Sequence, residues 1–316
     1  MMDLKSLGEF GLIGRIRQMV SVPEGVTGIG DDCAIIPQES GMDTLVSTDM
    51  LIEGTHFLMD DITPWQLGWK SAAVNISDIA AMGGSPEGSF LSFALPKSLP
   101  EGWMEGFLEG YAAISQRYSV PLLGGDTTSS PDRLCISVTV LGKCCSGCAK
   151  KRSAARPGDV VCVTGTLGDS AAGLKAILDG VQRDGCVSRL VERHYLPEPR
   201  VKEGLSLSAC AGVHAMMDIS DGIGSDIRHI LEESGVGAEI EVGTIPLSCE
   251  LAEFCKSHGC DPLELAIAGG EDYELLFTME PGSPVGVPYH VIGRITEGKD
   301  LVWKGSDKDY MGFRHF

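Results

Sequence analysis

The chain has 316 residues, enough for one large domain or two of ordinary size, and with 43% hydrophobic and 22% charged residues it has a globular composition. Its formal net charge of −19, from 44 acids against 25 bases, repels nucleic acid and anionic membranes, so neither is expected as a partner. Eleven cysteines without framework spacing, a start (Met1–Val20) carrying Lys5, Glu9, Arg15 and Arg17, and the lack of any run of roughly 18 apolar residues point to a reducing cytoplasm.

Residues 8–20 alternate apolar and polar positions at helical spacing, which predicts a short leading helix. Next comes Gly28–Ala34, reading GIGDDCA, in which Asp31 and Asp32 stand side by side. Adjacent carboxylates repel, and keeping both ionised takes solvent, cationic side chains or metal ions. A strand over Thr44–Ser47 then delivers Ser47-Thr48-Asp49, followed by a loop with Glu53, Gly54, Thr55, His56 and Phe57. Gly-Asp-Asp is also ordinary turn chemistry. The functional reading gains weight from recurrence: acid-bearing turns return at Gly124-Gly125-Asp126, Asp218–Asp221 and Gly269-Gly270-Glu271-Asp272.

Thr63-Pro64 opens a helix running towards Met82, with a threonine N-cap and proline in the first turn. Ser71, Asn75 and Asp78 fall on one face of it, inside a stretch so apolar that the aspartate needs a partner. A helix over Gly102–Tyr118 leads to Leu122–Thr128 and a strand over Leu134–Leu141. Residues 142–158 break the pattern with clustered Cys, Lys, Arg, Gly and Pro, which divides the chain into expected domains at 1–145 and 146–316. Cys145 and Cys148, with Cys144 beside them, lack the second pair that a structural zinc site needs, so free thiols are expected.

The second half opens with a strand at Asp159–Thr164, then Gly165–Ser170 and a helix to Leu178. That resembles a phosphate loop but fails the test, because Gly173 is followed by Leu174-Lys175 rather than Lys-Ser/Thr. The dinucleotide fingerprint fails too, at Gly28–Gly30 and at Gly222–Gly224. A strand-turn-helix over Ala215–Ser234, a strand at Ala238–Val242, a helix over Ser248–Ser257 and a strand at Tyr273–Met279 follow, before an aromatic and basic tail, Tyr310–Phe316. Asn75-Ile-Ser-Asp78 and Asp218-Ile-Ser-Asp221 echo one another, which leaves an internal duplication open.

The candidate ligands are nearly all oxygen. Such a set suits magnesium rather than zinc, and magnesium between carboxylates and polyphosphate reconciles a nucleotide with the negative charge. No Ser-His-Asp or Cys-His pairing can be read. From residue chemistry alone the expectation is magnesium-dependent phosphate chemistry without a P-loop.

GIGDDCA, the Ser47–Asp49 triplet, EGTHF at 53–57, NISDIAAMG at 75–83, LLGGDTT at 122–128, GDSAAGL at 168–174, DISDGI at 218–223 and GGEDYEL at 269–275 occur in one order. Together they resemble the thiamine-monophosphate kinases, within the superfamily of aminoimidazole-ribonucleotide synthetase and selenophosphate synthetase. The resemblance implies an α/β (α+β) fold of two domains, with N-terminal strands that pair across a homodimer. It implies ATP and thiamine monophosphate as substrates and several magnesium ions. By position, Asp32, Ser47, Thr48, Asp49, Asp78, Asp126, Asp218 and Asp221 resemble the family's magnesium ligands, while Asp31 either stands just behind them or belongs only to the turn. Gly125, Arg152 and Ser220 would contact ATP, while His56, Glu271 and Phe313 would hold the thiamine moiety. The segment Cys144–Lys151 departs from the family pattern, which makes Arg152 the least anchored assignment. Selenophosphate synthetase would be expected to carry a reactive cysteine or selenocysteine near its glycine-rich N-terminal segment, and none is read here. A non-catalytic nucleotide-binding protein would be expected to have lost some ligand positions, and none is lost.

Overall fold

The computed structural model describes residues 13, 14, 17, 24–38 and 41–313. Of the expected leading helix, Ile13, Gly14 and Arg17 are helical and the rest lies outside the described residues, as do Arg314–Phe316 of the tail.

Two mixed sheets are built from consecutive halves of the chain. The first takes β1 (Ala34–Pro37), β2 (Met42–Ile52), β3 (Ser85–Pro96), β4 (Leu122–Ser130) and β5 (Cys135–Cys145) in the order β1-β2-β5-β3-β4. All neighbours are antiparallel except β3 and β4. Strand alternation sends Ile136, Val138 and Val140 of β5 to one face, where they are fully buried. That face is covered by α1 (Pro64–Ala81) and α2 (Trp103–Tyr118). The two helices nearly touch: a Cβ on Gly110 would stand 1.8 Å from the Trp65 carbonyl oxygen. Helix α1 starts as its sequence requires, with Thr63 and Gln66 forming a capping box and Pro64 in the first turn.

The second sheet has the order β11-β8-β10-β6-β9-β7, from β6 (Val160–Val163), β7 (Val213–Asp218), β8 (Gly237–Glu241), β9 (Leu275–Met279), β10 (His290–Thr296) and β11 (Leu301–Lys304). Around it lie α3 (Asp169–Leu178), α4 (Gly185–Tyr195), α5 (Val201–Ser208), α6 (Ile223–Ser234), α7 (Cys249–His258) and α8 (Pro262–Ala268). Helix α1 is the joint between the halves. Its Trp69 indole donates to the Pro197 carbonyl at 2.9 Å, and Gly204 of α5 packs directly on the Ala80 carbonyl.

Several expectations need correcting. Gly124-Gly125-Asp126 is no turn but the middle of β4, where a Cβ on Gly125 would meet the Leu91 carbonyl oxygen of β3 at 1.7 Å. Its glycines signal a close strand approach rather than a reversal. Strand β2 does not end at Ser47–Asp49 but runs on to Ile52, and β5 absorbs residues 142–145 of the expected linker. The two NISD-like echoes are not equivalent: one is helical in α1, the other leaves the end of β7. Strand β3 and helices α4 and α5 were not legible, since their burial is irregular or their segments are short. Among the described residues, no helix is long and apolar enough to cross a membrane.

Candidate active site

Thr27 and Ile35 exchange both backbone hydrogen bonds, at 3.1 and 2.9 Å, and so close the loop that presents Asp31 and Asp32. Asp78 projects from α1, and Asp218 ends β7. One carboxylate oxygen from each of Asp32, Asp78 and Asp218 lies within 4.8 Å of the others. Asp49 joins them from β2, where β1 has stopped opposite Val46 and left the edge unpaired. Two serines serve the cluster: Ser47 Oγ donates to Asp78, and Ser77 Oγ donates to Asp218 at 2.5 Å. Asn75 and Ser71, expected on the Asp78 face, are fully buried and do other work. Asn75 Oδ1 receives the Asp49 amide at 3.1 Å, while the Ser71 hydroxyl bonds back to the Leu67 carbonyl.

Crowding these acids out of water disfavours their charged forms. Burial and the neighbouring Asp49, Asp218 and Asp32 push Asp78 well above the usual carboxylate range. Burial, with Asp32, takes Asp218 to about 8 and Asp49 to about 6. Among the described residues, no lysine or arginine pairs with Asp49, Asp78 or Asp218. Only Asp32 has a cation, Arg152 Nη2 at 2.7 Å, and the Arg152 amide is held by Asp31 Oδ1 at the same distance. Asp31 thus fixes the backbone that aims Arg152. A compact, oxygen-only and undercompensated set of carboxylates fits a hard divalent cation, as the sequence chemistry expects.

A cavity of about 900 Å³ opens beside the cluster. Asp49, Asp78, Asp218, Ser220 and Asp221 are among the residues that line it. It is also walled by His56, Glu271 and Phe313 together with Leu58, Leu174 and Leu178, large apolar side chains that remain 39–65% exposed where Leu58 and Leu178 are concerned. Phe313 is carried there by its amide, which donates to the Asp221 carbonyl at 2.9 Å. His56 Nδ1 accepts the Ile52 amide at 3.0 Å. The Glu271 amide donates to the Ser220 carbonyl at 2.7 Å, with Glu271 itself in the left-handed region at φ 64°.

Three residues at or behind this wall escaped the sequence reading. Lys70, 1% exposed, places its ammonium 2.9 Å from Glu271 Oε1, and His194 Nδ1 lies 3.2 Å from Glu271 Oε2 and 3.0 Å from Ser170 Oγ. Burial first, then Lys70, drives His194 down to about 3, so its ring is neutral at physiological pH. A lysine in the apolar run of α1 was the available signal, since a buried ammonium demands a carboxylate.

Other expected residues are not brought in by this chain. Asp49, Val138, Leu91 and Gly125 share one row across four strands, which puts Gly125 roughly 14 Å from Asp49 at three strand spacings. Asp126 is in the next row, with Met50, Ser137 and Ser92, on the opposite face of the sheet. The Thr48 side chain points to that face as well and its hydroxyl accepts from Thr139 Oγ1 at 3.0 Å, but the residue itself still lines the cavity beside the cluster. The phosphate-loop lookalike before α3 is already filled: Asp272 accepts from the Gly168 amide at 2.7 Å and the Ser170 amide at 3.3 Å.

Residues 30–144 match the family model of the AIR synthase related protein N-terminal domain, and residues 156–304 that of the C-terminal domain. Thiamine-monophosphate kinase of Salmonella typhimurium is 39% identical over 98% of both chains, and that of Aquifex aeolicus 38% identical over the whole of both. A solved structure of AaThiL complexed with AMPPCP and TMP superposes with a TM-score of 0.93 at 37% identity, over 100% of this chain and 99% of that one. A hydrogenase maturation protein HypE from E. coli, at 19% identity and a TM-score of 0.68 over 97% and 96% of the two chains, shares the fold alone. With both domain models matched and near-full-length identity to curated enzymes, the chain belongs to the thiamine-monophosphate kinase family of AIR synthase related proteins.

Proposed function

We propose that this chain transfers the γ-phosphoryl group of ATP to thiamine monophosphate, giving thiamine diphosphate and ADP, as a magnesium-dependent cytoplasmic homodimer. The observation that carries the reading is one cavity lined both by carboxylates of the cluster and by apolar side chains with Glu271, His56 and Phe313.

In this reading Asp32, Asp49, Asp78, Asp218 and Asp221, with Ser47 and Thr48, hold magnesium, whose charge when bound offsets that of the phosphates. Arg152 and Ser220 contact ATP. Gly125 and Asp126 reach the site of a second copy, because β4 is exposed along Leu122–Ser129 and the sheet face carrying Met50 and Phe90 is open. The apolar wall receives the flat, cationic rings of the acceptor.

The acceptor is a phosphate monoester whose second pKa is about 6, so it is largely dianionic at neutral pH. It needs no general base to deprotonate it. What the chain supplies is alignment for in-line transfer and exclusion of water. A coupled assay of ADP release tests the reading: thiamine monophosphate with magnesium should support turnover, and aminoimidazole precursors or selenide should not. Turnover with either of the latter alone would assign the chain to a sibling reaction.

A further inference from the structure

Lys70 lies outside every motif that resembles the family and outside the cavity lining, yet it is among the largest fully buried side chains. Its ammonium stands 2.9 and 3.0 Å from the two carboxylate oxygens of Glu271, bridging α1 to a loop 201 residues away. Glu271 can meet it only because the loop is bent through two left-handed residues, Glu271 at φ 64° and Tyr273 at φ 51°. That shape is pinned by the amides of both residues, which donate to the Ser220 and Ile219 carbonyls at 2.7 and 2.9 Å. Lys70, Val74 and Asp78 follow at i, i+4 and i+8 on α1, so one rigid helix separates the Glu271 anchor from the carboxylate cluster by roughly 12 Å along its axis.

We infer that Lys70 is a positioning residue for the acceptor: from its buried place on α1 it clamps both oxygens of the half-buried Glu271 and cancels its net charge. Glu271 then recognises the acceptor as an oriented hydrogen-bond acceptor, not as a bare counter-ion. The inference rests on the proposed use of the cavity for thiamine monophosphate. The groups that face Glu271 support it. Lys70 from α1 and His194 from α4 touch it directly, and His56 acts on it from the loop after β2. Tyr273 feels its charge from within its own loop, and Asp61 acts on His194 from behind. Against burial, the Lys70 ammonium holds Glu271 below the ordinary glutamate value.

The test is the set Lys70→Met, Glu271→Gln and the double variant. Lys70→Met should raise the KM for thiamine monophosphate roughly tenfold at pH 7, as expected for a charge-assisted partner lost from a buried site, while the KM for ATP stays within about twofold. Without its cation, burial should raise the Glu271 carboxyl above its wild-type value, so the variant's KM for the acceptor should improve as pH rises from 6.5 to 8.5. The wild type should lack that slope, and so should the double variant. In thermal melts without substrate, Glu271→Gln should lose most, because it strands Lys70, and the double variant should recover part of the loss. Strictly additive losses, or parallel rises in both KM values with no pH slope, overturn the role of Lys70. Absence of any turnover of thiamine monophosphate by the wild type overturns the functional reading itself.

Discussion

Replacing Asp78 with asparagine should make the protein more stable and inactive at once. Carboxylate oxygens of Asp32, Asp78 and Asp218 stand within 4.8 Å of one another, and at an effective dielectric constant of about 20 each ionised pair at that distance costs about 3–4 kcal/mol. Two such pairs exceed the cost of simply protonating an aspartate at pH 8, about 5–6 kcal/mol, so proton uptake caps the penalty. Allowing for water and for the Ser47 hydroxyl that favours the charged form, the relief in Asp78→Asn is roughly 2–5 kcal/mol, or about 3–8 °C in Tm for a chain of this size. The sign follows from the direction of the shifts. A carboxyl whose folded pKa is raised binds more protons folded than unfolded, so stability is retained at low pH and falls as pH rises. With Asp49 at about 6 and Asp218 at about 8, the metal-free wild type should weaken between about pH 4 and 8. The assay is a melt in chelator and in magnesium at pH 5 and pH 8, paired with ADP release. In chelator at pH 8 the variant should melt higher; at pH 5 the two should converge; in magnesium the wild type should catch up, and the variant should not turn over. A variant that melts lower in chelator, as loss of a purely structural Ser47 partner would produce, or that turns over normally, refutes the reasoning.

Phe313→Ala should raise the KM for thiamine monophosphate roughly 2- to 30-fold through loss of a cation–π face, with the KM for ATP unmoved; a lower Tm with both KM values intact would make the tail merely structural. Leu178→Asp, at a side chain 65% exposed on the cavity wall, should weaken the acceptor without changing Tm appreciably, read by the same two KM values. Arg152→Ala leaves Asp32 without its 2.7 Å partner and should raise the KM for ATP, measured by titrating ATP at saturating magnesium. If Asp126 serves a second copy, mixing inactive Asp126→Ala and Asp78→Ala chains should restore about a quarter of wild-type activity, since half the dimers then carry one intact site. Activity that stays at zero after verified subunit exchange would place Asp126 within its own chain's site.

What the sequence determined by itself was chemistry and local punctuation. The oxygen-only ligand set, the Thr63-Pro64 helix start and the failure of the phosphate-loop pattern each depend on residue types a few positions apart. The tertiary structure decided which of those residues meet. Asp32, Asp78 and Asp218 become one cluster only because a bridged loop, a buried helix and a strand end converge, and no local spacing records that. The same holds for Lys70 and Glu271, and for Asp272 of the acid-bearing turn, which closes the amides of Gly168 and Ser170. Gly124-Gly125-Asp126 marks the opposite error: its glycines read as a turn by composition, whereas packing of β4 against the Leu91 carbonyl is what requires them. Propensity is set by neighbours in sequence, but a buried charge finds its partner through the whole fold, because only there is the water removed that would otherwise make the pairing unnecessary.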